Sequence, residues 1–308
     1  MSDIDKLVQD VLPGILFVQG ENEAKYPNSN SLIIKTSSAD NSAALIDCGL
    51  GSRTTRKLRK EFKIAKVILS HWHEDHTHNH LLLRGAMFLS HPADISPLRD
   101  MSTFYRNYGL DGSGIEKQFT IFMESLGIEP FGDVMSLGPG EHALELGDYC
   151  FDVIHAPGHT AGHICLYEHQ HHLAFLGDID LSSFGPWYGT LDANIFDFEA
   201  SIKKIMALDI DIAITSHEGA ITGKSTVRDR LEKYLKRIDD RNERLLALMD
   251  TKIPRTPADL AGKNIVYRRY DSFKEYLLIA ERIMIENHLR YLMKSGKVVQ
   301  QAAGFVLI

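Results

Sequence analysis

His71-Trp72-His73-Glu74-Asp75-His76 follows the apolar run Lys66-Val67-Ile68-Leu69-Ser70. The run has the β-branched, apolar make-up of a strand, so the six residues stand at a strand-to-loop junction. Four of them, His71, His73, Asp75 and His76, are candidate metal ligands. His71 and His73 are two apart and leave an extended chain on the same side. Asp75 and His76 follow on the turn, where they can face a second ion beside the first. Imidazole nitrogen and carboxylate oxygen suit borderline ions such as zinc, at about 2.0–2.2 Å.

Similar patterns are excluded by single residues. A helical HExxH site would need histidine at position 77, which is Thr77. The H-x-E with P-C-x-x-C of the zinc deaminases is absent, as are a G-x-S-x-G elbow and a P-loop. Further donors come one loop at a time. Ala156-Pro157-Gly158-His159-Thr160, Leu176-Gly177-Asp178 and Thr215-Ser216-His217-Glu218-Gly219 each follow an apolar strand pattern, and each presents one donor on a small-residue turn.

With His159, Asp178 and His217 in that order after an HxHxDH motif, residues 12–223 resemble the metallo-β-lactamase-fold hydrolases. That superfamily includes glyoxalase II, lactonases and metal-dependent nucleases. The resemblance implies an α/β fold, an αββα sandwich with the site along one edge of its two sheets. It implies that His71, His73 and His159 bind one divalent ion, that Asp75, His76 and His217 bind another, and that Asp178 bridges both. Zinc is the first expectation, with iron or manganese as alternatives. Oxygen- or nitric-oxide-reducing relatives carry Glu where this chain has His73, and cysteine-ligand lactamases carry Cys where it has Asp178. The set therefore matches the dinuclear hydrolases. The implied mechanism is attack by a metal-bridging hydroxide, with Asp75 and Asp178 orienting it and shuttling a proton.

Other residues carry expectations of their own. In Ser182-Ser183-Phe184-Gly185-Pro186-Trp187-Tyr188-Gly189, Tyr188 is a candidate donor to a developing oxyanion and Trp187 a candidate wall for an apolar group. His155 and His163 are expected to support the donors or to be structural. His78 and His80 replace part of the Gly-Gly-Asn run common in relatives. His169, His171 and His172 are expected in an exposed hairpin turn.

The chain has 308 residues, 44% apolar and 24% charged, which is globular composition. No apolar run reaches the roughly 18 residues of a membrane span. Met1 to Lys6 shows no basic stretch before an apolar core, so no signal peptide is expected. Cys48, Cys150 and Cys165 form no CxxC pair, which suits a reducing cytoplasm rather than a disulfide framework.

Charge divides the chain. Residues 1–223 carry 16 Lys and Arg against 30 Asp and Glu, whereas residues 224–308 carry 18 against 11. The first part reads as alternating strands and helices, with helices near 53–62, 113–126 and 194–208. Residues 97–139 read as an insertion and candidate lid. From about Thr226 the pattern becomes long helix, short helix opened by Thr256-Pro257, long helix opened by a capping box at Ser272 to Glu275, and a terminal hairpin. That order suggests a winged-helix-like appendage at 224–308 after a catalytic domain at 1–223.

Three functions fit. The first is hydrolysis of a small-molecule ester, lactone or thioester, with the appendage closing the pocket or making a homodimer contact. The second is a phosphodiesterase or ribonuclease that holds nucleic acid on the basic appendage; the absence of a β-CASP insertion disfavours it. The third is a non-catalytic sensor that binds DNA through Arg282, Arg290 and Lys294. The complete set of seven donors favours the first.

Overall fold

The computed structural model describes residues 8–138, 142–270 and 273–308. Its first sheet has seven strands in chain order: β1 Val8–Leu12, β2 Ile15–Val18, β3 Ser31–Lys35, β4 Ser42–Ile46, β5 Lys63–Ile68, β6 Met87–Ser90 and β7 Val134–Ser136. The strands are antiparallel up to β4 and parallel from β4 to β7. The parallel part needs crossovers. These are supplied by α1 Ser52–Glu61, α2 Glu74–Thr77, α3 Ile95–Arg99, α4 Met101–Asn107 and α5 Glu116–Ser125.

The second sheet holds β8 His142–Leu146, β9 Tyr149–His155, β10 Ile164–Glu168, β11 Leu173–Phe175, β12 Ile212–Thr215 and β13 Gly219–Thr222, in the order β13-β12-β11-β10-β9-β8. Only β11 and β12 run parallel, joined across α6 Ile195–Met206. The chain continues through α7 Lys224–Leu246, α8 Pro257–Leu260, α9 Lys274–Lys294 and a hairpin of β14 Val298–Gln301 and β15 Gly304–Leu307.

Strand alternation builds the layers. Ile15 and Phe17 of β2 point between the sheets, where they meet Phe151, Leu166 and Phe175. Leu16 and Val18 point outward, into a cluster with Leu58, Phe104, Phe119 and Met123 of the first helical layer. Cys165 and Ala213 point outward from the second sheet, under Phe198, Ile202, Leu231, Ile238, Met284 and Leu289. Both faces of both sheets are covered, so their strands read as apolar runs. The result is the expected αββα sandwich with a C-terminal helical region. That region shares one apolar core with the second sheet.

Several expectations shift in detail. The segment 97–139 includes the edge strand β7, hydrogen-bonded to β6. It is therefore the β6–β7 crossover carrying α3 to α5. The boundary expected at 223/224 falls between β13 and α7. Thr256 and Asp259 form a capping box at α8, whereas the capping box expected at Ser272 lies partly, and the Met1–Lys6 segment wholly, outside the described residues. No helix among the described residues is long and apolar enough to cross a membrane.

Candidate metal centre

The donors gather where β5, β9, β11 and β12 end, at one edge of the sandwich. His71 Nε2, His73 Nδ1 and His159 Nε2 form a triangle with sides of 3.0, 2.9 and 3.1 Å. Ring nitrogens bound to one ion at about 2.0–2.1 Å sit about 3 Å apart when their bonds are near right angles. A second group, Asp75, His76 and His217, shares the same small volume. Asp178 lies between them. Its Oδ1 is 3.0 Å from His76 Nε2 and 3.6 Å from His217 Nε2, and its Oδ2 is 3.2 Å from His159 Nε2.

Buried His76 Nε2 and Asp178 Oδ1 complete no hydrogen bond despite their approach. Buried polar atoms aimed at a common point without a hydrogen-bond partner are the arrangement a cation satisfies. The donor set of imidazole and carboxylate therefore fits divalent ions at both clusters.

The outer nitrogens explain why the inner ones face inward. His76 Nδ1 donates to Asp47 Oδ2 (2.8 Å), His159 Nδ1 to Trp187 O (2.9 Å) and His217 Nδ1 to Ala24 O (2.8 Å). Ser70 Oγ donates to Asp47 Oδ2 (2.7 Å), leaving its oxygen to accept from His71 Nδ1 (3.0 Å). Each bond leaves Nε2 as the free lone pair. Asp47 also accepts from Ser70 N at 2.7 Å and has φ 59°, a left-handed conformation that Asp tolerates. Gly49 follows, and a Cβ there would lie 1.5 Å from Asp75 O, so only glycine lets this turn approach the donor turn.

Electrostatics divide the two clusters: against burial, the Asp178 and Asp75 carboxylates raise His76 well above the usual histidine range and His217 to about 9. Burial, then neighbouring imidazoles, hold His71 well below the usual histidine range; burial holds His73 well below it and lowers His159. Neutral rings are the form that binds metal. Burial works against an ionised Asp178, but His76, His159 and His217 outweigh it and keep its carboxyl well below the ordinary range.

Residues 26–217 match the family model of the metallo-beta-lactamase superfamily. The chain belongs to the metallo-beta-lactamase superfamily. It is accordingly a metal-dependent hydrolase. A hydroxyacylglutathione hydrolase of Haemophilus influenzae is 36% identical over 83 residues, 26% of this chain and 38% of that protein. An acyl-coenzyme A thioesterase of Gallus gallus is 35% identical over 66 residues, 21% of this chain and 23% of that protein. A metallo-beta-lactamase family protein of Thermus thermophilus shares the fold with a TM-score of 0.71 at 23% identity, covering 97% of this chain and 100% of that one.

Within this superfamily site, Tyr188 requires a correction. Its side chain is fully buried and turned away from the donors. Its hydroxyl meets His288 Nε2 at 2.7 Å and Arg241 Nη1 at 3.1 Å. It cannot reach a substrate oxyanion, because these helix residues take up its hydroxyl and it does not line the cavity that Trp187 walls. Its neighbour Trp187 does face the site, 5.4 Å from the His73 ring and 5.6 Å from His159. Tyr188→Phe is therefore expected to strand two buried partners and cost about 1–3 kcal/mol of stability. Denaturant unfolding checks this, and an unchanged midpoint would contradict it.

The remaining histidines sort by contact. His163 accepts from Asp178 N at 3.1 Å and donates to Ala156 O at 3.1 Å, so it supports Asp178. His155 stacks on His91 with centroids 4.0 Å apart. His78 bonds to Glu74 O, His80 stacks on Phe131, and neither joins a donor cluster among the described residues. His169, His171 and His172 are exposed to partly exposed beside Asp152, Glu168 and Asp209.

Sequence reasoning missed the braces. Besides Asp47, buried Asp94 accepts from Thr160 Oγ1 (2.8 Å) and Gly162 N (2.6 Å), gripping the turn that carries His159. Asp192 holds Trp72 Nε1 at 3.0 Å and Ala161 N at 3.3 Å. Glu74 accepts from Tyr26 (2.5 Å) and Tyr108, and burial with the nearby Asp75 charge pushes its carboxyl up to about 7.

Proposed function

We propose that this enzyme hydrolyses a small-molecule ester, lactone or thioester with a bulky apolar group. The observation that carries this reading is the cavity onto which the donors open. It measures about 920 Å³ and takes aromatic walls from both ends of the chain, among them Tyr26, Phe122 and Trp187, then Tyr267, Phe273 and Tyr276. Apart from the donors, its charged lining is Glu23, Glu74, Asp180 and Glu218 against Lys25. A nucleic-acid backbone needs the reverse balance.

Four of the basic residues of 224–308 support the same preference. Arg228 pairs with Glu232, Arg237 with Asp240 and Arg290 with Glu286, while Lys294 lies 4.6 Å over the Phe196 ring. Charges neutralised on their own helices make a poor phosphate track. The names of the two curated relatives, a hydroxyacylglutathione hydrolase and a thioesterase, support an acyl substrate as well.

In this reading His71, His73 and His159 would hold one ion and Asp75, His76 and His217 another, with Asp178 available to both. Bound divalent ions, zinc foremost with iron or manganese as alternatives, supply Lewis acidity and acidify water to a pKa of about 7. The carboxylates of Asp75 and Asp178 orient the nucleophile and move its proton. Trp187 and the cavity's other rings hold the apolar group and exclude water.

The test is a panel of zinc- and manganese-loaded protein on an octanoyl thioester, a lactone, an aryl phosphodiester and a short RNA, with Asp178→Ala as the blank. Acyl turnover far above phosphodiester turnover is expected. Dominant cleavage of RNA or phosphodiester would overturn the proposal.

A further inference from the structure

We propose that Arg241 of α7 is a positioning residue for the acyl site: it holds the 184–188 loop and thereby fixes both the His159 donor and the Trp187 wall. The inference rests on the hydrolase reading of the site given above.

Arg241 is 1% exposed, and its side-chain hydrogen bonds among the described residues go to two backbone carbonyls and a hydroxyl rather than to a carboxylate. A buried cation without a counter-charge is costly unless dipoles replace water. Here the dipoles belong almost entirely to one loop. Nη1 donates to Pro186 O and to Tyr188 Oη, and Nη2 donates to Phe184 O at 2.8 Å. The guanidinium also lies 4.7 Å from the Phe184 ring and 5.6 Å from the Tyr188 ring. The planar fork thus binds the loop at residues 184, 186 and 188, as a compact ammonium could not. Gly185 seals the contact, since a Cβ there would lie 2.4 Å from Arg237 Cβ.

Tyr188 passes the contact on. Its hydroxyl accepts from Arg241 and donates to His288 Nε2, and His288 Nδ1 donates to Asn242 Oδ1 at 2.7 Å. Every donor in this chain points the same way, and its last acceptor returns to α7. The loop is tied at both ends to the C-terminal helices.

The opposite face of the same loop meets the site. Trp187 O accepts from His159 Nδ1, which leaves His159 Nε2 aimed at His71 and His73. The Trp187 indole N–H donates to Tyr267 Oη at 2.7 Å, and its ring walls the cavity. A loop released by Arg241 would lose the carbonyl that orients His159 and the ring that contacts the acyl group.

Arg241→Met and Arg241→Lys test this in the full chain loaded with zinc. Resistance to a competing chelator reports on His159, and KM for octanoyl against acetyl thioester reports on Trp187. In Arg241→Met, zinc retention is expected to fall about tenfold. KM for the octanoyl substrate is expected to rise by a similar factor while that for acetyl stays near wild type. Arg241→Lys should fall between. Wild-type zinc retention and an unchanged KM ratio in folded Arg241→Met would overturn the inference. So would wild-type behaviour of Arg241→Lys if the methionine variant does not fold. Were the wild type to turn over no acyl substrate, the hydrolase reading would fail, and zinc retention alone would still judge Arg241.

Discussion

Asp178→Ala is expected to lower hydrolysis on the order of a thousandfold, about 4 kcal/mol of barrier, and to strip metal from both clusters. The reason is the placement of its two oxygens. Oδ1 faces His76 and His217, Oδ2 faces His159, and alanine removes a donor from each group at once. The substitution also leaves the buried nitrogens of three histidines facing one another without the negative charge that separates them. His159→Ala, in contrast, takes a donor from one cluster only, so metal content should fall by about half. Elemental analysis after gel filtration separates the two variants. Full metal content in Asp178→Ala, or equal loss in both, would refute the bridging assignment.

Asp47→Ala is expected to weaken metal binding about 10- to 100-fold without removing any ligand. Asp47 touches no candidate ion. It accepts from Ser70 N, Ser70 Oγ and His76 Nδ1, and through the Ser70 hydroxyl it also fixes His71. One carboxylate therefore sets the tautomer of a histidine in each cluster. Alanine would leave the buried Ser70 amide without an acceptor and let both rings turn. Its backbone would also sit at φ 59°, where alanine is strained. Chelator competition reads the loss of affinity, and a wild-type value would remove Asp47 from the site. Asp47→Asn, which keeps the shape and one acceptor oxygen, should fall between.

The seven donors could be read from the sequence because each follows an apolar strand. Strand ends collect at the edge of a sheet, so residues far apart in the chain converge there. Asp47 carries the same signature, a carboxylate directly after Ala43 to Ile46 and before a glycine turn. It lies outside any donor motif, and its partner Ser70 is 23 residues away. Asp94 and Arg241 were less visible still, because each acts on a turn more than 50 residues distant. Arg241 stands at helical spacing between Ile238 and Leu245 on the buried face of α7, which signals burial, but the loop it holds cannot be read from that spacing. Tyr188 shows the complementary failure. Its closeness to Asp178 suggested chemistry, but chain proximity does not report which of two adjacent rings faces the site.

Residues from Val227 to Phe305 bury the outer face of the second sheet, Tyr234 donates to Asp178 O at 2.9 Å, and Tyr267 holds the Trp187 indole. For protein engineering, the helical end of the chain is therefore a poor exchangeable cassette. A graft that swaps substrate preference would have to transplant the 184–188 loop together with the helix faces that grip it, as one inseparable part. Swapping either alone would trade a change of preference for a misaligned centre.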